Sequence, residues 1–384
     1  MTSRERVLAA LSHKEPDRVP FDLGTTFVTG IHCIAYERLL RGLGLGELEP
    51  QPLLDPLQQL ATPHEQVLRE LGVDTRSTYL KLPGRALSGG DEDEHYRYTT
   101  DEWGLVRRMP KEGGLYYDMC AHPLVGVETM AEVEAYAWPD PLASVDLDAM
   151  ERACREIRRS GDYALIVGGF GAGLLELLLW LQGYDQGYVN LLANEAVTEA
   201  ILDQVLRLKI IYAEAVLERV GPYADIFYNG DDLGHQDRPM IRREWFDRIL
   251  RPRYEQYHEA IRRHAPHVKL FFHSCGSVVE LLPDVIETGI DILNPVQVSA
   301  AGMGDTAALK RDFGADLVFW GGIDTQRVLP HGSPQDVRDE VKRRIDDLAP
   351  GGGYVLNCVH NIQADVPVEN ILAIVEALDE FGWY

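Results

Sequence analysis

The stretch Val268-Lys-Leu-Phe-Phe-His273-Ser-Cys275-Gly276 is a short apolar run that ends on an imidazole and a thiol two residues apart. Side chains alternate across a strand, so residues two apart share a face. A strand ending this way aims two soft ligands at one place, and Gly276 follows directly behind them. Such a pair is half of a zinc site. The other half must come from elsewhere, and Cys358 closes a second apolar run, Tyr354-Val-Leu-Asn-Cys358, after the turn Gly351-Gly-Gly353. Free cysteine is also among the most buried residue types, so an inert core thiol is the competing reading, above all for Cys358.

Outward from that strand the chain alternates between apolar β-like runs and amphipathic helices. Candidate strands fall near 18–24, 73–80, 163–168, 224–229, 268–273, 291–296, 317–321 and 353–358, which makes eight. Helices are expected between them: Thr2 and Glu5 suit a capping box before the first, and Gly221-Pro222 stops the long one over 195–220. Strands alternating with helices imply a parallel sheet, and eight of them close into a (β/α)₈ barrel. The whole chain, 1–384, then reads as a single barrel domain. Residues 83 to about 140 interrupt the rhythm with Tyr96, Tyr98, Trp103 and Gly113-Gly114, which predicts inserted hairpins. The glycines of Gly168-Gly-Phe-Gly-Ala-Gly173 are better explained by a tight strand-to-helix turn than by a dinucleotide fingerprint.

In such a barrel the reactive groups sit at the C-terminal strand ends. His273, Cys275, Asp231, Asp232, Asp324, Cys358 and His360 all map there. Zinc held by His273, Cys275 and Cys358 with one open position would be catalytic, since structural sites close all four. Asp231 and Asp232 are neighbours and should point to opposite sides, so one of them can face a pocket. Asp231 and His360 are the candidates for proton handling or substrate positioning, and Asn229, Asp232 and Asp324 for substrate binding. Each has a plainer alternative: a capped turn for the aspartates, a hydrogen-bonded loop histidine for His360.

Composition narrows the partners. With 37 Lys+Arg against 61 Asp+Glu the formal net charge is −24, which disfavours nucleic acid and anionic lipid. Five scattered cysteines do not form a disulfide framework, and this suggests a reducing compartment. The N-terminal residues carry no apolar signal core, and the longest greasy stretch, Leu174 to Leu181, is broken by Glu176. A cytoplasmic protein is the expectation, with no membrane partner.

His273-Ser-Cys-Gly276, Asp291-Ile-Leu-Asn-Pro-Val-Gln297, Gly321-Gly-Ile-Asp-Thr-Gln326 and His360-Asn-Ile-Gln-Ala-Asp-Val-Pro-Val-Glu-Asn370 together resemble the uroporphyrinogen decarboxylase superfamily. More closely they resemble its branch of zinc-dependent, corrinoid-linked methyltransferases. The resemblance implies a (β/α)₈ barrel, zinc on a His-x-Cys pair and a later Cys (His273, Cys275 and Cys358 here), and methyl transfer between a small donor or acceptor and a corrinoid. The chain has no Asp-x-His-x-x-Gly motif of its own, so the corrinoid is expected in trans, on a separate protein or as free cofactor. Decarboxylases of the superfamily carry arginines after the first strand to pair with a polycarboxylate macrocycle. Phe21-Asp-Leu-Gly-Thr-Thr-Phe27 has none. A metal-free decarboxylase or lyase and a catalytically silent barrel subunit are the two alternatives.

Overall fold

The computed structural model describes residues 1–78 and 87–384. Its frame is a curled parallel sheet of seven strands: β1 (Thr75–Ser77) and, after four strands of an insertion, β6 (Ala164–Gly168), β7 (Ile226–Gly230), β8 (Lys269–His273), β9 (Ile292–Asn294), β10 (Val318–Ile323) and β11 (Tyr354–Cys358). Neighbours in the sheet are neighbours in the chain, joined by helical crossovers. The eighth position belongs to residues 19–23. Phe21 bridges Leu356 in parallel on one side, and its carbonyl accepts from the Asp74 amide on the other. Pro20 has no N–H to give, so this segment closes the ring with isolated bonds and not with a ladder. The outcome is a TIM-barrel-like fold, as the alternation of elements implies. Of the expected second strand, residues 79–80 lie outside the described residues.

Strand parity sorts the core into two layers. Ile166, Ile226, Tyr228, Phe271, Val318, Trp320 and Val355 pack together inside the barrel. Their neighbours Leu165, Val167, Phe227, Leu270, Phe272, Phe319 and Leu356 pack outward against the helices. Each such side chain contributes about 1.5–3 kcal/mol by leaving water. The helix Glu195–Val220 shows the matching helical period, burying Val197, Ile201, Val205, Leu208, Tyr212 and Val216. Lys209 falls in the same buried stripe. The first helix, Ser3–Ala10, carries the expected capping box between Thr2 and Glu5.

The insertion is a four-stranded antiparallel sheet, β2 (Leu87–Ser88), β3 (Tyr96–Asp101), β4 (Val106–Pro110) and β5 (Asp118–Ala121). It was expected near 83–140; residues 83–86 lie outside the described residues. A buried Arg107–Asp101 ion pair at 2.5 Å ties β4 to the end of β3. The Tyr117 amide donates to the Leu57 carbonyl, and His32 bonds the Leu115 carbonyl, so the sheet is anchored to the barrel's rim loops. Among the described residues no helix is long and apolar enough to cross a membrane.

Candidate metal centre and pocket

His273 is the last residue of β8 and shares the inward parity of Phe271. Its ring is held by Asn294 at the end of β9: Nδ1 lies 2.6 Å from Asn294 Oδ1, while Asn294 Nδ2 donates to the Trp320 carbonyl. That second bond fixes which end of the amide faces the imidazole. Nδ1 must therefore carry the hydrogen, and Nε2 presents a lone pair. A histidine oriented through its second nitrogen is the arrangement metal sites use.

Cys275 follows just past the strand, and its Sγ lies 3.2 Å from His273 Nε2. Two loops create this meeting. The Cys275 amide donates to Asp232 Oδ1 at 2.8 Å, and the Leu233 amide donates to Ser274 Oγ, stitching the loop after β7 to the loop after β8. Gly276 makes the approach feasible: its φ is +86°, and a Cβ there would stand 2.3 Å from the Gly234 carbonyl oxygen.

His360, beyond the end of β11, completes the group. Its ring packs edge-on to His273 with centroids 5.4 Å apart. The ligand atoms of His273, Cys275 and His360 all lie within 4.8 Å of one another. A tetrahedral zinc with bonds of about 2.0–2.3 Å holds its ligands roughly 3.5 Å apart, so small side-chain adjustments suffice. Burial, and then the neighbouring His273, lowers the His360 imidazole; burial lowers His273 as well. Burial, followed by the Asp232 and Glu176 carboxylates, raises the Cys275 thiol well above its ordinary range. The group is thus two neutral imidazoles and a thiol beside Asp232, whose Oδ1 is 3.7 Å from His273 Nε2. Nitrogen lone pairs, a sulfur and a nearby carboxylate are a donor set that a divalent ion fits.

One residue of the expected ligand set is corrected. Val355 of β11 faces into the barrel, so Cys358, three residues on, has the opposite parity and packs with Leu356 and Ile323 in the layer against the helices. It is buried, and burial pushes its thiol up to about 12. His360, two residues later and past the strand, reaches the position that Cys358 was expected to fill. Of the two aspartates, Asp232 lines the pocket with His273 and His360. Asp231 lies beneath it, fully buried, accepting from the Leu175 and Glu176 amides and from the Tyr254 hydroxyl. Gly173 permits this, because a Cβ there would overlap the Asp231 carboxylate. Asp324 accepts from the Gln326 and Arg327 amides as a turn residue, and Asn229 lines the pocket.

The pocket has a volume of about 280 Å³. The inserted sheet contributes Arg107, Tyr117, Asp118 and Met119 to its wall, and the barrel contributes Phe27, Trp180 and Tyr228. Of the charged lining groups not singled out from the sequence, two, Glu176 and Lys209, come from the barrel's own helices. Each leaves a trace there, however: Glu176 breaks a leucine run, and Lys209 occupies an apolar stripe. Burial first, then Asp232 and Asp231, raises the Glu176 carboxyl; burial lowers Lys209 to about 8 against the pull of Asp231 and Glu176.

Known proteins resemble this chain in sequence and fold. The uroporphyrinogen decarboxylase of Alkalilimnicola ehrlichii is 28% identical over 290 residues, covering 73% of each chain. That of Chromohalobacter salexigens is 26% identical over 279 residues, or 70% of this chain and 74% of the relative. A methyltransferase from Methanosarcina mazei superposes over 99% of both chains with a TM-score of 0.67 at 21% identity, which speaks for a common fold. The family model described as Uroporphyrinogen decarboxylase (URO-D) matches residues 118–381, from the inserted sheet to the last helix, and by that match this chain belongs to the uroporphyrinogen decarboxylase family.

Proposed function

We propose that this chain is a zinc-dependent methyltransferase, moving a methyl group between a small molecule and a corrinoid supplied in trans by a separate protein or as free cofactor. The reading rests on one observation above others: His273, Cys275 and His360 converge at the barrel's C-terminal rim, and the two histidines line a small pocket there. When bound, Zn²⁺ supplies a Lewis acid that lowers the pKa of a thiol or stabilises a departing oxygen. The chain's own residues do the rest. Asn294 fixes the His273 tautomer, and Asp232 holds the Cys275 backbone. Phe27, Trp180 and Tyr228 exclude water from the reacting methyl, and the Glu176 carboxyl, its pKa raised, keeps a proton at its Oε atoms beside the cavity.

The second reading, decarboxylation of a polycarboxylate tetrapyrrole, has the names of the relatives in its favour. Electrostatics and size weigh against it. The 21–27 segment has no arginine, Arg107 is already paired with Asp101, and Lys209 is committed to two carbonyls. A volume of about 280 Å³ lies at the small end of ligand pockets, roughly 300–1,000 Å³, and suits a compact substrate. Two assays on zinc-supplemented protein separate the readings. Methylcobalamin absorbance is followed with candidate methyl donors and acceptors, and uroporphyrinogen consumption is measured in parallel. Corrinoid methylation or demethylation that Cys275→Ser abolishes supports the proposal; turnover of uroporphyrinogen without corrinoid chemistry refutes it.

A further inference from the structure

Two cations line the cavity, and they are not equally committed. Lys209 Nζ donates to the carbonyls of Phe170 at 2.8 Å and Ala172 at 2.6 Å. Among the described residues Arg107 makes one hydrogen bond, from Nη1 to Asp101 Oδ2 at 2.5 Å. That carboxylate is itself fixed, because its Oδ1 accepts from the Trp103 and Leu105 amides. A guanidinium donates from all three of its nitrogens, so the edge made by Nε and Nη2 is left unused. Arg107 is only 5% exposed, yet neither of those nitrogens is among the polar atoms sealed without a partner. The free edge therefore keeps accessible surface, on a residue that forms part of the cavity wall.

Contacts place that edge relative to the metal group. In the inserted sheet Arg107 of β4 stands in register with Met119 of β5, which also lines the cavity. Arg107 Cζ lies 5.6 Å from the Trp180 ring centre, and Trp180 is one turn further along the helix Leu174–Gln182 than Glu176. Glu176 and Asp232 both act on the Cys275 thiol, which sets them beside the metal group. The order along the wall is therefore metal group, Glu176, Trp180, Arg107, with a helical turn of about 5.4 Å between the second and the third. A substrate whose reacting end faces the metal group meets the open guanidinium edge with its other end. The carboxylates of the lining do not bar an anion there. Glu176 keeps its proton near neutral pH, Asp118 is exposed and screened by solvent, and Asp232 is bound to the Cys275 amide.

We propose that Arg107 determines specificity: the Nε and Nη2 edge of its guanidinium binds a carboxylate of the substrate, beyond Trp180 from the metal group, so that the substrate is a small methyl-bearing monocarboxylate. The planar fork of Nε–H and Nη2–H matches the two oxygens of a carboxylate, whereas a neutral amide sets its own N–H donors against it. One open edge serves one carboxylate, not the many of a tetrapyrrole. This deepens the methyltransferase reading and rests on it for the word substrate, although the site itself can be tested without turnover.

The test is calorimetric titration of the purified full chain with benzoate and benzamide, which share a shape and differ in charge. A cavity of about 280 Å³ accepts such a ring, since about 150 Å³ suffices for benzene. Benzoate should bind on the order of tenfold more tightly than benzamide, as for one charge-assisted pair of hydrogen bonds made or lost. The preference should survive treatment with a chelator. It should be lost in Arg107→Lys, which keeps a cation for Asp101 but has no second edge, and in Arg107→Gln, each checked for a wild-type circular dichroism spectrum; the wild-type comparison stands even if a variant fails to fold. Equal affinities, tighter binding of benzamide, no binding of either probe, or a preference that persists in both variants would overturn the assignment. So would a preference abolished by the chelator and kept in Arg107→Lys, which would put the carboxylate on the metal. A benzoate preference that depends on Arg107 in a protein without corrinoid chemistry would refute the methyltransferase reading and leave the carboxylate site standing; corrinoid chemistry without the preference would do the reverse.

Discussion

At the scale of single residues, the site depends on which atom of each ring faces the pocket. Asn294 sets that for His273, and removing it frees the ring to turn. Asn294→Ala should therefore weaken zinc binding by about 10–100-fold, the usual cost of losing a group that orients a ligand, as measured by chelator competition. His258 makes a separate prediction in pH. Its folded pKa of about 4 lies below the ordinary 6.5, so the unfolded chain binds more protons than the folded one between those values. Stability from this residue is complete above pH 6.5, is lost as pH falls toward 4, and is level below. The integrated loss is about 3 kcal/mol. Denaturant melts of wild type and His258→Gln should diverge by this amount across that range; parallel curves would contradict it. The His273/Cys275 pairing was legible because a two-residue spacing at a strand end needs no knowledge of the fold. Cys358 was misassigned by one step of parity, a matter settled by which of Val355 and Leu356 faces inward, and apolar runs do not announce that.

Among the elements, two junctions hold the pocket in shape. Asp231 fastens the start of the helix Leu174–Gln182 to Tyr254 of the helix Arg251–His264. Asp231→Ala leaves buried N–H groups unpaired and should destabilise the protein by about 1–3 kcal/mol, with zinc content unchanged. A melt matching wild type would show that the carboxylate anchors nothing. The inserted sheet depends on the Arg107–Asp101 pair, and Asp101→Ala strands a buried guanidinium at a cost of about 3–5 kcal/mol. Because β5 and the turn before it wall the pocket, the same variant should raise KM for the substrate more than it lowers kcat. The long helices were readable from their caps and stops, the one over 195–220 to the residue. The insertion was readable as alternation broken by glycines, but not its attachment to the rim, which depends on backbone bonds such as Tyr117 to Leu57 that carry no side-chain signature.

Taken whole, the molecule is a strongly acidic barrel, net charge −24, whose C-terminal rim gathers two imidazoles, one thiol and a carboxylate around a compact cavity. A ligand that binds the folded chain alone stabilises it by about 2.7 kcal/mol at a concentration 100 times its dissociation constant. Zinc should raise the melting temperature accordingly and a chelator should reverse the shift, while Cys275→Ser should be insensitive to both. Barrel closure was legible in the count of apolar runs. That the first of them closes the ring through isolated bonds around Pro20 follows from proline chemistry once its neighbours are known. X-ray absorption at the zinc edge of the purified full chain tests the metal group most directly. One sulfur at about 2.3 Å with nitrogen or oxygen neighbours at about 2.0–2.1 Å is the expected coordination. Two sulfurs, which would return Cys358 to the site, or no bound zinc after supplementation, would contradict it.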